Sequence, residues 1–359
     1  MAQKRQLQNG DTTWVVRWRD ESGKQHSKSH RSWADAKRHE AGVRLDRKAP
    51  EAPLRVDDWI DAWLDRQQSS TRHGTHRQQL STVDKWIRPT FGGHQVRNVK
   101  RADVQAWVTK ELVPNLAPST VRTVVSNLAA IMNAAVDDEL IAASPVVRLA
   151  LPIVERKDLD IPPPAQLDAV RVELPENLRA VFDVMRWAGL RLGEATGLTV
   201  DVIDFDRLEL DIRRQLLSDP TRIGPVKSRT VTRRRVPITE TLAATLSDHL
   251  DQFRTCRLDG VDLVFTTTRS CSPLTGVSWG RAWRPARDAA GLPDDFTAHD
   301  LRHCWTARTV AAGLPVPIVA RFLGHSDGGS LVAKRYSHLM PDSTDQLREM
   351  LEEFEAGTV

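Results

Sequence analysis

Tyr336, in the segment LVAKRYSHLM, is the only tyrosine among the 359 residues of this sequence. Lys334 and Arg335 precede it, and His338 follows. A phenol with a pKa of about 10 is a poor nucleophile unless nearby cations stabilise its ionised form. Taken alone, one aromatic residue in a helical segment favours packing. A chemical role therefore depends on whether other reactive side chains converge on it.

The segment WAGLRLGEATGL contains the first candidate. Arg191 lies between Gly189 and Gly193, where the backbone can turn tightly at the start of a helix. An arginine at this position could bind an anion, or it could simply pair with Glu194.

The segments TAHDLRHCWTARTVAAG and VARFLGHSDG contain the next candidates. His299 and Arg302 are three residues apart, so they share one face of a helix, and His303 lies one position further on. His325 follows a glycine, eleven residues before Tyr336. Each of these residues is individually ordinary, and only their order is suggestive.

Lysine is scarce in the second half of the chain. After Lys157 only Lys227 and Lys334 occur, although arginine is frequent there. An arginine keeps its proton near neutral pH, whereas a lysine of lowered pKa can release one, so Lys227 is a candidate for proton transfer. Chance retention explains the presence of Lys227 equally well.

The amino-terminal segment, residues 1–48, is a separate basic module. It holds twelve Lys and Arg against six Asp and Glu, a net charge of +6 in a chain of net charge +4. The pattern TTWVVRWRD, a turn and QHSKSHRS predict a β-hairpin, and a helix capped by Ser32 follows. The charge favours DNA over protein as its partner, and the predicted DNA contacts are Arg17, Arg19, Lys24, Lys28 and Arg31.

Residues 54–150 are predicted to be a helical domain between two linkers, 49–53 and 151–164. The proline-rich run at 151–164 excludes a continuous helix. The clearest helix is capped at Ser119, and its polar face offers Arg122, Thr123 and Asn127 for contact with DNA or with solvent. Residues 165–342 have a mixed pattern, with strands at 208–214 and 233–239 among helices.

Composition excludes several classes of protein. No apolar run reaches the roughly 18 residues that a membrane helix needs, and the amino terminus lacks the apolar core of a signal peptide. The three cysteines are too few and too scattered for a disulfide framework, which fits a reducing cytoplasm.

The segments AGLRLGEATGL, HDLRH, LGHS and YSHL, in this order, resemble the tyrosine recombinases of the lambda-integrase type, also called phage integrases. The resemblance implies a mainly α fold with small β elements. An α+β catalytic domain of the DNA breaking-rejoining type would occupy 165–342, after a helical core-binding domain at 54–150 and a basic arm-binding domain at 1–48. It implies a site-specific integrase in the bacterial cytoplasm, on nucleoid DNA.

Carried over residue by residue, the resemblance makes Tyr336 the nucleophile that forms a 3'-phosphotyrosyl bond. Arg191 and Arg302 would hold the phosphate oxygens, and Lys227 would protonate the leaving 5'-oxygen. His299 would take or steer the tyrosine proton, and His325 would donate a hydrogen bond to the phosphate. Supporting roles are implied for two further residues, Glu194 as the partner of an arginine and His303 as the residue that orients the helix around His299.

The resemblance also implies partners and an absence of cofactors. The partners are double-stranded DNA attachment sites, other protomers in a homotetramer on DNA, a DNA-bending host factor and a directionality factor, with no membrane. Residues 343–359 would form a carboxyl-terminal helix that contacts a neighbouring protomer. Neither ATP nor a metal is needed, because the phosphotyrosyl bond conserves the energy of the cleaved bond. The sequence departs from the pattern of the family in one respect. The gap from His325 to Tyr336 is a residue or two longer than expected, and it contains two glycines.

Three other interpretations compete with an integrase. His299 and His303 imitate the spacing of a zinc-protease helix, but Asp300 stands where that motif needs a glutamate. A DNA-binding regulator without catalysis would leave the series of arginines, histidines and tyrosine unexplained. A chromosome-dimer resolvase of the same family is a nearer alternative, although such enzymes generally begin at the core-binding domain.

Overall fold

The structure, a computed structural model, describes residues 2–6, 12–19, 24–47, 54–71, 73–155, 160–227 and 232–340, with Arg348, Glu352 and Glu355 beyond them. The chain divides into two compact units, Met1–Arg156 and Lys157–Val359. Both units are mainly helical, with small antiparallel sheets, as the sequence predicts. No helix within the described ranges is long and apolar enough to cross a membrane.

A three-stranded sheet and one helix begin the first unit. The elements are β1 (Gln3–Gln6), β2 (Thr12–Arg19), β3 (Gln25–His30) and α1 (Trp33–Arg47), and β2 is the central strand. The predicted hairpin is β2 and β3, whereas β1 was missed because its polar sequence QKRQ has no apolar alternation. Ser32 caps α1, since its hydroxyl oxygen accepts a hydrogen bond from the Asp35 backbone N–H at 3.1 Å.

The rest of the first unit is helical. Its helices are α2 (Val56–Ser70), α3 (His73–Thr82), α4 (Arg88–Phe91), α5 (Arg101–Trp107), α6 (Val113–Asn115) and α7 (Pro118–Asp137), with π-helical turns at Val83–Ile87 and Val108–Leu112 and a 3-10 turn at Val96–Asn98. The predicted linker 49–53 lies outside the described residues. The predicted division between residues 1–48 and 54–150 stays a prediction.

Helix α7 buries the apolar face that its periodicity predicts. Val121, Val124, Val125, Leu128, Ile131, Met132 and Ala135 are all buried. The predicted cap at Ser119 is wrong, because the helix begins at Pro118 and Ser119 lies inside it. Ala117 occupies the N-cap position, and Pro118 takes the first helical position, where its missing N–H costs no hydrogen bond.

The second unit combines eight helices with three small sheets in its described part. The helices are α8 (Pro164–Glu173), α9 (Glu176–Ala188), α10 (Leu192–Thr196), α11 (Glu240–Gln252), α12 (Gly276–Ala289), α13 (Ala298–Ala311), α14 (Val316–Leu323) and α15 (Ser330–Tyr336). The strands are β4 (Ile203–Asp204), β5 (Glu209–Ile212), β6 (Arg214–Leu216), β7 (Ile223–Pro225), β8 (Arg234–Pro237), β9 (Cys256–Leu258) and β10 (Val261–Leu263), and 3-10 turns occur at Val200–Val202 and Ser337–Leu339.

The two predicted strands pair with each other, although the hairpin β6-β7 lies between them in the sequence. In the sheet β4-β5-β8, Leu210 of β5 lies opposite Val236 of β8, and both are buried. The other sheets are the hairpins β6-β7 and β9-β10. The predicted linker is neither helix nor strand at 151–155 and 160–163, and Pro164 begins α8.

One disulfide joins Cys256 of β9 to Cys271, with their Cα atoms 5.6 Å apart. The three cysteines, scattered along the sequence, predicted no disulfide framework and fitted a reducing cytoplasm. A single pair is nevertheless formed, because folding of the chain between them brings together residues whose spacing gave no signal. Cys304 is a buried free thiol.

The close packing around α7 gives a stability prediction. Leu128 is fully buried, so Leu128→Ala removes buried methyl groups and leaves a cavity, and we expect a loss of about 3 kcal/mol in the free energy of unfolding. The control is Ser126→Ala on the exposed face of the same helix, which should change it by less than about 0.5 kcal/mol. Urea denaturation followed by tryptophan fluorescence measures both. Equal effects of the two changes would contradict the packing described.

Candidate active site

The turn between α9 and α10 places Arg191. Helix α9 ends at Ala188 and is capped by Gly189, whose φ of 63° is in the left-handed region. A Cβ at Gly189 would lie 2.7 Å from the Trp305 ring. Arg191 then takes the N-cap position of α10, and its backbone N–H donates to the Glu194 carboxylate at 3.0 Å. This glycine is therefore required both for the turn and for the close approach of α13.

Glu194 is surrounded by three arginines. Its oxygens accept hydrogen bonds from Arg191 at 2.9 Å and from Arg234 at 3.1 and 2.6 Å, and Arg302 lies 3.8 Å away. The Glu194 side chain is fully buried. Burial alone would raise the pKa of this carboxyl, but the positive charges of Arg234, Arg191 and Arg302 lower it to about 2. The predicted partnership of Glu194 with an arginine is thus present, and it is threefold.

Arg302 links α13 to two other helix ends. Its guanidinium donates to the Gly189 carbonyl oxygen at 2.7 Å and to the Leu323 carbonyl oxygen at the end of α14. Burial lowers the pKa of Arg302 to about 9, with a further contribution from Arg191, so the side chain stays protonated at neutral pH. Each terminal nitrogen carries two hydrogens, so both keep a donor for an anion.

Arg234 is a member of this cluster that the sequence analysis missed. In β8 it is 6% exposed, whereas its neighbours Arg233 and Arg235 are exposed. Its Nε donates to the Phe322 carbonyl oxygen at 2.6 Å, so it ties β8 to α14 as well as to Glu194. The available signal was the alternation of the strand RRRVPIT, which places the middle arginine on the same buried side as Val236.

Tyr336 ends the short helix α15 in a small apolar cluster. Asp327 positions the start of this helix, since its carboxylate accepts from the backbone N–H groups of Gly329 and Leu331 at 3.2 and 2.8 Å. The tyrosine is 5% exposed and packs with residues of α13, α14 and α15 that include Val332. Burial raises the pKa of Tyr336 to about 12, and the charge of Arg335 opposes that shift.

The hydroxyl group of Tyr336 contacts His303, not His299. His303 Nδ1 is hydrogen-bonded to the Tyr336 hydroxyl, and Arg335 Nη1 lies 3.4 Å from His303 Nε2. The His299 ring meets the His303 ring edge-on, with centroids 4.6 Å apart. The predicted roles of His299 and His303 stay predictions, but the histidine that contacts the tyrosine in the structure is His303. Both share a face of α13, and the position of α15 selects between them.

Both histidines of α13 are neutral at pH 7. Burial lowers the pKa of His303 to about 4, and the positive charge of Arg335 adds to the shift. Burial also lowers the pKa of His299, with a contribution from Arg302. A neutral imidazole can accept a proton, so His299 keeps that capacity.

His325 has an unpaired polar atom beside the arginines. Among the described residues its Nδ1 is buried and has no hydrogen-bond partner. Burial lowers its pKa, and the charges of Arg302 and Arg191 lower it further. The residue also lines a cavity of about 580 Å³ between β8 and α14.

The predicted role of Lys227 in proton transfer stays a prediction. The residue is exposed and lies two residues after β7, next to residues 228–231, which are outside the described ranges. Among the described residues it makes no hydrogen bond with Tyr336 and no ion pair with Glu194.

The basic residues of the amino-terminal sheet do not form one surface. All five predicted DNA contacts are exposed: Arg17, Arg19, Lys24, Lys28 and Arg31. The register pairs Arg17 with Ser27 and Val16 with Lys28, so Arg17 and Arg19 project from one face of the sheet and Lys28 from the other.

Helix α1 covers the face of the sheet that carries Lys28. The Trp18 ring meets the His39 ring edge-on at 4.8 Å, and His30 Nε2 lies 3.1 Å from His39 Nδ1. Arg17 and Arg19 therefore project from the face opposite α1.

The predicted polar face of α7 is exposed but partly engaged. Arg122 Nε donates to the Pro152 carbonyl oxygen at 3.0 Å, and the Thr123 hydroxyl donates to the Ser119 carbonyl oxygen at 3.0 Å. Asn127 is half-buried. Arg122 thus also forms a hydrogen bond with the segment that follows the helical domain.

The zinc-protease interpretation conflicts with the contacts of His303, because both of its ring nitrogens already have partners. Among the described residues no group of His, Cys, Asp or Glu side chains is arranged to hold a metal ion.

Comparison with known proteins gives matches over both units. Residues 166–342 match the phage integrase family, and residues 56–112 match the phage integrase N-terminal SAM-like domain. The integrase of Mycobacterium phage D29 is 25% identical over 284 residues, which are 78% of this chain and 74% of that protein. The tyrosine recombinase XerD of Shewanella oneidensis is 24% identical over 281 residues, covering 76% of this chain and 88% of XerD.

Two solved structures share the fold. The Tn1549 transposon integrase in complex with transposon right end DNA matches with a TM-score of 0.69 at 19% identity, over 84% of this chain and 100% of that one. A lambda integrase tetramer bound to a Holliday junction matches with a TM-score of 0.61 at 17% identity, over 91% of this chain and 96% of that one.

The environment of Glu194 predicts a pH dependence of stability. Its pKa falls from an ordinary 4.5 to about 2 on folding, so its stabilising effect is complete above pH 4.5 and is lost as the pH falls towards 2. We expect the free energy of unfolding of the wild type, relative to Glu194→Gln, to fall by up to about 3 kcal/mol across that window.

Urea denaturation at several pH values between 2 and 6 measures this difference. Glu173→Gln is the control, because Glu173 is an exposed glutamate of the same unit. A difference between wild type and Glu194→Gln that stays constant with pH would contradict the assignment.

Proposed function

The chain belongs to the phage integrase family of tyrosine recombinases, and we propose that Tyr336 is the nucleophile of its reaction. It is a site-specific recombinase, an enzyme that transfers DNA strands. The observation that carries the proposal is the position of the only tyrosine, whose hydroxyl meets a neutral imidazole on the helix that also bears Arg302. The reaction is the integration and excision of a phage or mobile element.

In the first step the Tyr336 oxygen bonds to the scissile phosphorus, and the bond from phosphorus to the 5'-oxygen breaks. The phenol proton passes to neutral His299, and the departing 5'-oxygen takes a proton from Lys227. Rejoining reverses these transfers when a 5'-hydroxyl attacks the 3'-phosphotyrosyl bond. The energy of the phosphodiester is kept in the protein-DNA bond, so neither ATP nor a metal ion takes part.

Arg191 and Arg302 stabilise the negative charge that develops on the non-bridging oxygens of the phosphate. The support for this is electrostatic: three arginines surround one carboxylate, so the cluster retains an excess of positive charge. His325 donates a hydrogen bond to a phosphate oxygen.

The partner is double-stranded DNA containing attachment sites. Arg17 and Arg19 bind DNA from the face of the amino-terminal sheet opposite α1, and Lys24, Lys28 and Arg31 extend this contact. Helix α7 contributes Arg122, Thr123 and Asn127. We propose a homotetramer on DNA, an arrangement that the lambda integrase structure has on a Holliday junction. A DNA-bending host factor and a directionality factor complete the proposed set of partners.

A chromosome-dimer resolvase is the second candidate, since a XerD protein is among the relatives. The amino-terminal sheet with α1 favours the integrase, because resolvases of that type generally begin at the core-binding domain. A regulator without catalysis would bind DNA without forming a covalent bond to it.

The nucleophile assignment predicts a covalent adduct. Labelled duplexes from DNA flanking the gene, nicked so that a cleaved strand diffuses away, are incubated with the protein in EDTA. On denaturing gels we expect an adduct with the wild type and none with Tyr336→Phe, which keeps the ring but lacks the attacking oxygen. Lys227→Ala should lose at least about a hundredfold in rate, because general acid catalysis is typically worth that much.

A leaving group that needs no proton provides the control for Lys227. A 5'-bridging sulfur in place of the 5'-oxygen should restore the Lys227→Ala rate to near wild type and should leave Tyr336→Phe inactive. An adduct that persists in Tyr336→Phe, or that requires a divalent metal, would overturn the mechanism.

The carboxyl-terminal segment, residues 343–359, carries a second expectation, although its predicted helix lies almost entirely outside the described residues. We propose that it contacts a neighbouring protomer and couples the cleavage states of the tetramer. Deleting residues 343–359 should leave adduct formation on a single site but abolish full recombination. Measuring both products with the same protein preparation tests this, and an unchanged yield of recombinants would refute it.

A further inference from the structure

Three side chains form a continuous series at the nucleophile. Arg335 Nη1 lies 3.4 Å from His303 Nε2, and His303 Nδ1 is hydrogen-bonded to the Tyr336 hydroxyl. The guanidinium carbon of Arg335 is also 6.0 Å from the centroid of the Tyr336 ring. Arg335 and Tyr336 are adjacent in sequence at the end of α15, whereas His303 belongs to α13.

The first contact determines which nitrogen of His303 carries the proton. A guanidinium has only donors, so Nε2 must be the acceptor and must lack a hydrogen. A neutral imidazole has one N–H, which is then on Nδ1. The 3.4 Å separation is long for a hydrogen bond. The Arg335 cation nevertheless favours the same tautomer electrostatically, because it would repel the positive end of an Nε2–H group.

The second contact then has a defined direction. His303 donates from Nδ1, and the Tyr336 oxygen accepts. A hydrogen bond donated to a phenol oxygen favours the ionised form, and one accepted from the hydroxyl would favour the neutral form. His303 in this tautomer cannot take the tyrosine proton, which is therefore free to pass to another acceptor.

We propose that Arg335 is a positioning residue that fixes His303 as its Nδ1–H tautomer, so that His303 donates a hydrogen bond to the Tyr336 oxygen and stabilises the attacking phenolate. This inference rests on the proposed function, because it assumes that Tyr336 is the nucleophile. It assigns Arg335 a part in the reaction, and it changes His303 from a support for His299 into a direct ligand of the nucleophile. The bonds that form and break at phosphorus are the same as in the proposed mechanism, and the phenol proton still passes to His299.

The charges around His303 agree with this arrangement. The charged or titratable groups that act on it are Arg335 from α15 and His299, Asp300 and Arg302 from α13. The same Arg335, Asp300 and Arg302, with Cys304, act on Tyr336. Arg335 and Arg302 outweigh Asp300 around His303, which keeps it uncharged. Around Tyr336 the same two arginines oppose the effect of burial on the phenol, whereas Asp300 and Cys304 add to it.

Lys334 provides a matched control. It is the preceding residue of the same short helix, is exposed, and is not a hydrogen-bond partner of His303. Lys334→Gln and Arg335→Gln therefore remove one positive charge each from neighbouring positions. Only Arg335→Gln also removes the contact with His303 Nε2.

The tautomer can be measured directly in the full chain without DNA. Protein labelled with [15N]histidine is studied by long-range proton-nitrogen correlation spectra, in which an N–H nitrogen and a bare nitrogen differ widely in shift. His303→Gln identifies the signals of His303. We expect a protonated Nδ1 and a bare Nε2 in the wild type and in Lys334→Gln, and a shift towards the Nε2–H tautomer in Arg335→Gln. An Nε2–H tautomer in the wild type, or an unchanged spectrum in Arg335→Gln, would overturn the proposal.

The consequence for the reaction is measured as the rate of adduct formation on the nicked duplex at saturating protein. We expect Arg335→Gln to be slower by about tenfold, since a hydrogen bond to a charged group is worth that order of free energy, and Lys334→Gln to be near wild type. His303→Asn, which keeps a donor near the position of Nδ1 but has no tautomers, should retain more activity than His303→Phe, and Arg335→Gln should slow it by a smaller factor than it slows the wild type.

Failure of this inference differs from failure of the proposed function. Normal adduct formation by Arg335→Gln would overturn the inference alone, because Tyr336 would still be the nucleophile. No adduct with the wild type, on DNA independently shown to recombine, would overturn the function and with it the role of Arg335.

Discussion

The second unit depends on one buried carboxylate, that of Glu194. Arg191, Arg234 and Arg302 come from α10, from β8 and from α13, and their mutual repulsion in a buried site would separate these elements without an anion between them. The three cations still exceed the one anion. The same arrangement that holds the fold together therefore leaves a positive site that can receive a phosphate, so stability and anion binding have a common origin.

Tyr336 shows that packing and chemistry are not exclusive. Its ring belongs to the apolar cluster of α13, α14 and α15, which fixes its position, while its hydroxyl reaches the polar side of α13 at His303. Burial has a cost, because it raises the pKa of the phenol to about 12. The charge of Arg335 and the hydrogen bond from His303 oppose that shift, so the residues around the tyrosine offset the effect of the cluster that orients it.

Local patterns in the sequence determined much of this protein. Apolar periodicity predicted which side of α7 is buried, and strand alternation predicted β5 and β8, because both depend on residues a few positions apart. The spacing of His299, Arg302 and His303 placed them together on one helix for the same reason. The order of these motifs before a single tyrosine indicated the family, to which the chain belongs.

Only the tertiary structure decided which of these groups meet. Residues His299 and His303 are equivalent by spacing, and the position of α15, which is far away in sequence, brings the second one to Tyr336. The burial of Arg234 against Glu194 and the disulfide between Cys256 and Cys271 likewise depend on how separate elements pack. Periodicity tells which face of an element is buried, but a contact between two elements depends on their relative position, which no local spacing contains.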